Sequence, residues 1–303
     1  MIQFLLLLTV FLLGYIEAMS VGALFVRPLR STTTYQSMSI VNYDVTVSIQ
    51  GHVATTHVDQ LFTNELNQIV ESTLIFPLPP GAIVTDMAYW FNGKRYVADV
   101  RERQAAQAKY DSKVRALIDP ALLKEVGENL FQLNIAPIDP RSLVRAEITY
   151  VEVLPYASNT LTYTHLLKST NVSPKPLQRV SVSASIRNRS TITGVNTPAI
   201  TGNASKIDRI DSKTFRVTYG DENALPQRHL SVAIALDQEQ TGMDVLTYQP
   251  VPSDSFGMEG FFATFVTPPD EAVQPLPKSI VVVADVSSSM TPVRMQQLRS
   301  ALH

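Results

Sequence analysis

Near the carboxyl end, the stretch Ser279 to Met290, SIVVVADVSSSM, is where residue types look arranged for chemistry. Asp285, Ser287 and Ser289 stand at alternate positions and offer one carboxylate and two hydroxyls. All three are hard oxygen donors, the ligand type that Mg²⁺, Mn²⁺ or Ca²⁺ accepts. Asp and Ser are also ordinary turn and cap residues, so the elements around them decide how much the pattern means. Ile280 to Ala284 is an unbroken apolar run with β-branched residues, which fits a strand buried on both faces of a parallel sheet. Thr291-Pro292 then supplies an N-cap and a first-turn proline. The three donors are therefore expected at a strand-to-helix turn. Met295, Leu298 and Leu302 form the apolar side of that helix with no later strand to cover it, so the sequence reads as the opening part of a longer domain.

Asp285-Val286-Ser287-Ser288-Ser289 resembles the metal-ion-dependent adhesion site of von Willebrand factor type A domains, whose signature is Asp-x-Ser-x-Ser on the first strand-to-helix loop. Ser288 departs from the glycine common between the two serines, a position that is not a ligand. The resemblance implies that a threonine and an aspartate from later loops complete the site. It also implies that the cation keeps an open position for an acidic group of a partner. The chain stops at His303, well short of the about 150 to 200 residues such a domain needs.

Other candidates are weaker. The histidines at 52, 57, 165, 229 and 303 have no helical zinc spacing, and His52 and His57, five apart in a strand reading, should face opposite sides. No Gly-x-Ser-x-Gly elbow or phosphate-cradling glycine loop occurs. Asp99 and Glu102 beside Arg101 and Arg103 read as a solvated surface rather than an acid–base pair. Asn171, Asn188 and Asn203 each begin an Asn-x-Ser sequon, relevant only in a host that glycosylates. Cysteine is absent, which removes thiol catalysis, zinc–thiolate sites and disulfides.

The 303 residues, 45% hydrophobic and 17% charged, describe a folded chain with room for two domains, and a net charge of −2 gives no reason to expect nucleic acid. Ile2 to Ile16 is almost wholly apolar and ends at Glu17 before Ala18-Met19-Ser20. About fifteen apolar residues are short for a membrane span and suit a secretory signal cleaved after Ser20, with a retained anchor as the alternative.

Beyond a polar bridge through Thr32-Thr33-Thr34, alternation dominates. Tyr43, Val45, Val47 and Ile49 predict one strand and His52 to Phe62 a second. Ile75 to Ala82, with three prolines, is expected to break the sheet. Asn92-Gly93 predicts a hairpin between Val84–Phe91 and Lys94–Val100. Arg101 to Lys113 reads as a surface helix and Asp119 to Val126 as a shorter one. Strands resume with Phe131, Leu133 and Ile135, then Val144 to Tyr150. Further strands follow through Val180–Ile186, Phe215–Tyr219, Leu230–Leu236 and Gly260–Val266, before a proline-rich joint.

QLFTN at Gln60 to Asn64, FPLP at Phe76 to Pro79, VRERQAAQAKY at Val100 to Tyr110, and NLFQLNIAPIDP with ITYVEVL between Asn129 and Leu154 are similar to successive landmarks of the vault protein inter-alpha-trypsin (VIT) domain. Departures are Glu71-Ser72-Thr73-Leu74, where an aromatic residue is usual, and Arg103, where lysine is usual. A VIT domain followed by a von Willebrand A domain looks like the heavy chains of inter-alpha-trypsin inhibitor and their bacterial relatives.

The expected fold is mainly β: a β-sandwich-like VIT domain with a short helical insertion, a β-rich connector, and the first strand and helix of an α/β von Willebrand A domain. The expected boundaries are a signal peptide at 1–20, a linker at 21–34, the VIT domain at 35–155, the connector at 156–277 and the truncated A domain at 278–303. The expected protein is a non-enzymatic adhesion or scaffold protein, secreted, periplasmic or at the cell surface. Asp285, Ser287 and Ser289 would hold Mg²⁺, or Mn²⁺ or Ca²⁺, against an acidic group of a protein or matrix ligand. No nucleic acid partner is expected, and membrane association only through the N-terminal segment. The alternative is a purely structural β scaffold with an incomplete, inert metal loop.

Overall fold

The computed structural model describes residues 21–31, 35–91, 93–97, 130–170, 172–198, 205–237, 242–249 and 260–267, and every helix or strand among them is a strand. The chain divides into two compact units, Met1–Pro269 and Asp270–His303, and the second lies outside the described residues. So do the leader and both expected helices of the insertion.

In chain order the strands begin β1 (Ala23–Pro28), β2 (Gln36–Ser37), β3 (Ser39–Gln50), β4 (Val53–Thr63), β5 (Val70–Pro77) and β6 (Ile83–Phe91). They continue β7 (Lys94–Val97), β8 (Leu130–Ile138), β9 (Leu143–Val153), β10 (Tyr156–Ala157), β11 (Thr160–His165) and β12 (Leu177–Arg187). The last are β13 (Ile192–Asn196), β14 (Ser205–Arg209), β15 (Thr214–Ala224), β16 (Leu230–Leu236), β17 (Gly242–Tyr248) and β18 (Phe261–Thr267).

An eight-stranded sheet, ordered β14-β15-β12-β3-β4-β9-β6-β7, carries the unit. Its inner face is a lattice of cross-strand rows: Val182, Val45, Val58, Ile148 and Met87 lie side by side, with Ala184, Val47, Thr56 and Tyr150 as the next row. All of them are buried, and each buried aliphatic side chain contributes about 1.5–3 kcal/mol. Two four-stranded sheets, β2-β1-β5-β8 and β10-β11-β16-β13, cover that one face. Phe76 of β5 meets Tyr150, and Tyr163 and His165 of β11 meet Thr56 and Tyr43. β17 and β18 form a separate ribbon, fastened to the β3–β4 turn by Phe265 stacked on His52, centroids 4.9 Å apart.

Three local expectations change. Ala23–Pro28, placed in a linker, is a strand between β2 and β5; Ala23 to Val26 are all buried, and a strand covered on both faces shows no alternation. The FPLP segment breaks the sheet only at Leu78, because β5 runs on through Pro77. Among the described residues no strand runs beside β5 on the β1 side beyond Ile75, so a residue without an N–H is tolerated there. Strands from both sides of the expected boundary between 155 and 156 share the large sheet. β12 lies parallel beside β3, Tyr43 against Val180 and Ile49 against Ile186, so β12, β15 and β14 extend the sheet of β3, β4 and β9. The expected hairpin pairs Phe91 with Lys94, with Gly93 at φ 73°.

The QLFTN landmark has a physical basis. Gln60, Phe62 and Asn64 point inward from β4 and its end, and all three are buried. Gln60 Nε2 donates to the Gly22 carbonyl at 2.9 Å, tying the start of β1 to the large sheet. Asn64 Nδ2 reaches the carbonyls of Asp139, Gln68 and Ile138 at 2.9, 3.2 and 3.4 Å, while its Oδ1 accepts from Leu66 N at 3.0 Å. One side chain thus satisfies backbone groups of two separate turns. Asn64→Ala removes all of these bonds at once and should cost roughly 2–4 kcal/mol, read as a lower urea midpoint; an unchanged midpoint would refute the staple.

Candidate functional site

The expected metal ligands Asp285, Ser287 and Ser289 lie outside the described residues, as do Asp99, Glu102, Asn171, Asn203 and His303. Among the described residues no group of three His, Cys, Asp or Glu side chains could hold a metal ion. The nearest approach to one is a row of carboxylates on the outer face of the large sheet, where Asp44 stands opposite Asp59 and Asp59 opposite Glu147. Arginines occupy it. Arg145 grips Asp59 through Nε and Nη2 at 2.7–3.1 Å and pairs with Glu147 at 2.6 Å; Arg179 pairs with Asp44 at 2.6 Å. The Arg145 guanidinium also lies 4.6 Å from the centroid of the Trp90 ring, which Arg95 approaches at 5.1 Å. Alternating charges neutralise one another here, and exposed pairs of this kind contribute little stability.

The sequon at Asn188 is a poor acceptor. Its side chain is buried and its Oδ1 takes the Ser190 backbone N–H at 2.9 Å, closing a turn. His57 lies on the outer face with Nδ1 2.9 Å from Thr149 Oγ1, and His52 is a buried turn residue rather than part of β4.

The polar cluster that sequence reasoning missed is inside. Tyr43 Oη lies 2.8 Å from His165 Nε2, and Tyr150 and Tyr163 hydroxyls each lie 3.3 Å from His165 Nδ1. Thr56 Oγ1 is 3.0 Å from the Tyr163 hydroxyl, and Tyr43 Oη also reaches the Leu166 carbonyl at 3.5 Å. A neutral imidazole has one donor and one acceptor. Either tautomer serves the network: one ring nitrogen donates and the other accepts, with Nε2 paired to Tyr43 and Nδ1 to the Tyr150 and Tyr163 hydroxyls. Burial pushes the His165 imidazole down to about 3, with His229 nearby acting in the same direction. His229 caps the next segment, its Nδ1 accepting from Leu167 N at 3.1 Å.

Glu152 ends the same inner face, beside Ala54 on β4. It is 6% exposed, and its Oε1 has no hydrogen-bond partner. Burial pushes its carboxyl up to about 8, and burial likewise raises the hydroxyls of Tyr43, Tyr150 and Tyr163. Burial thus favours the neutral form of every titratable member of the cluster. Sealed between sheets, it reaches no substrate, so its work is to hold β3, β4, β9 and β11 in register. The signal available in the sequence was weak: Thr56, Glu152 and His165 are polar residues at inward positions of mostly apolar alternations.

Residues 40–150 match the family model described as the vault protein inter-alpha-trypsin domain. Inter-alpha-trypsin inhibitor heavy chain H4 of Homo sapiens is 26% identical over 293 residues, which is 90% of this chain and 30% of that one. Heavy chain H3 of Bos taurus is 26% identical over 277 residues, 86% of this chain and 29% of that one. The von Willebrand factor A domain-containing protein 5A of Mus musculus is 25% identical over 126 residues, 41% of this chain and 16% of that one. The chain thus spans about a third of the length of the heavy chains it matches.

Proposed function

With a VIT domain over residues 40–150 as the premise, we propose that this chain is the β-rich base of a secreted or cell-surface adhesion or scaffold protein. In this reading Asp285, Ser287 and Ser289 hold a divalent cation, Mg²⁺ or alternatively Mn²⁺ or Ca²⁺, and an acidic group of a protein or matrix ligand completes its coordination. The observation that carries the reading is the placement of the Asp-x-Ser-x-Ser loop after a VIT domain, in a chain similar to inhibitor heavy chains over 86–90% of its length. The donor set fits the ion: one carboxylate and two hydroxyls are hard oxygens, and Mg²⁺ characteristically keeps positions for water or a further carboxylate. Catalysis is not part of this reading, since the buried Tyr–His–Glu cluster is closed to substrate.

Calorimetry of the full-length protein with MgCl₂ and MnCl₂ tests the proposal. Saturable binding that Asp285→Ala abolishes is the expected result. Heat signals that are absent, or that persist in Asp285→Ala, would defeat the metal reading and leave a structural β scaffold with an inert loop.

A further inference from the structure

Among the described residues, the extensive strand contacts of β17 and β18 are with each other, and none of their side chains enters the hydrophobic core. A two-stranded ribbon by itself is marginally stable in water. The register sorts its side chains onto two faces. Met243, Val266 and Phe262 share the outer one, where Phe262 is 77% and Val266 64% exposed. Leu246 and Phe265 share the other, which turns toward the β3–β4 turn.

Two contacts join the ribbon to the sandwich. The Phe265 ring stacks on His52 with planes 4° apart, and Arg189 Nη2 donates to the Val245 carbonyl at 3.4 Å. The second is long and exposed, so the ring stack is the stronger of the two. Its His52 half is anchored in the sandwich: the His52 carbonyl accepts from Leu154 N at 2.8 Å, and Gly51 N donates to the Arg187 carbonyl at 2.9 Å. The Phe265 half sits on strands whose described residues are mostly exposed. Elements with few buried apolar contacts open first while the rest of a fold stays closed. β17 also supplies one wall of a cleft of about 630 Å³ at this end of the large sheet, where Leu246 joins Gln50, Arg187 and Lys213 in the lining. Movement of the ribbon therefore changes access to that cleft.

We propose that the β17–β18 ribbon is a strap that releases from the sandwich as one piece, with Phe265 on His52 as its latch, and that its release opens the cleft beside Leu246. This device stands apart from the Asp285 loop and does not depend on it.

Thiol labelling of the whole chain is the test, because the sequence has no cysteine and one introduced thiol reports alone. Leu246→Cys places the thiol on the sandwich-facing side of the ribbon, and Thr247→Cys places it on the outer face. Phe265→Ala should speed labelling of Leu246→Cys by about threefold to tenfold, the range that a lost aromatic stack gives in an equilibrium, and leave Thr247→Cys unchanged. His52→Ala keeps the Phe265 ring and should act in the same way. In Phe265→Ala the amides of β17 and β18 should exchange faster together, while those of β3, β4 and β9 keep wild-type protection and show that the sandwich is intact. Labelling of Leu246→Cys that ignores either variant overturns the proposal, and so does equal acceleration of Thr247→Cys. Faster exchange throughout β3, β4 and β9 would make the ribbon an inseparable part of the sandwich, and faster exchange of one ribbon strand alone would make it fray; either result also overturns the strap.

Discussion

Urea unfolding across pH should give a stability that is flat between about pH 4.5 and 6.5 and falls on both sides, with Glu152→Gln erasing the alkaline fall. The Glu152 carboxyl titrates near 4.5 in the unfolded chain and about 8 in the fold, so the fold holds the extra proton and loses stability as pH rises between those values. The His165 ring titrates near 6.5 unfolded and about 3 folded, so the unfolded chain holds the extra proton and stability falls as pH drops from 6.5 to 3. Between 4.5 and 6.5 the two slopes oppose each other and cancel. Of these two groups, only Glu152 acts above 6.5 and only His165 below 4.5. Each gap corresponds to roughly 3–5 kcal/mol once complete. Glu152→Gln keeps the shape but cannot ionise; it should match the wild type near pH 4.5 and gain on it by a few kcal/mol above pH 8. A wild-type profile that stays flat from pH 6.5 to 8, or a variant with the same alkaline slope, would show that Glu152 does not reside in this buried, unpartnered setting.

The same residues show how far the sequence is legible. β3, β9, β12, β15 and β16 announce themselves because one face is buried and the other wet, which writes a two-residue period into Tyr43–Ile49 or Leu230–Leu236. β1 and β5 write no such period, because neighbours and layers cover them on both sides. The parallel pairing of β3 with β12 joins residues 42–50 to 179–187 and leaves no local trace, so a connector was expected where the sheet continues. The VIT landmarks were legible as a string, while their reason emerges from contacts: Gln60 to the Gly22 carbonyl, Asn64 to two turns, Phe76 against Tyr150. The candidate metal loop is legible because its three donors are local in sequence.

His165→Leu should be the most damaging single change at neutral pH. Leucine keeps the position apolar but removes the group that Tyr43, Tyr150 and Tyr163 all address. Tyr163 retains Thr56 at 3.0 Å, whereas Tyr43 is left with the Leu166 carbonyl at 3.5 Å, a long and weak contact. A buried hydroxyl without a good partner costs about 1–3 kcal/mol, so the variant should lose roughly 3–5 kcal/mol at pH 7. The deficit should shrink toward pH 3, because only the wild type must then keep a ring neutral against an unfolded state that binds a proton. Tyr43→Phe alone strands His165 Nε2. Combined with His165→Leu it removes both ends of one hydrogen bond and should cost less than the sum of the two, with a coupling of about 1–3 kcal/mol in a double-mutant cycle. Strict additivity would mean that Tyr43 and His165 do not share a proton, and the arrangement that holds β3 against β11 would have to be sought in apolar packing alone.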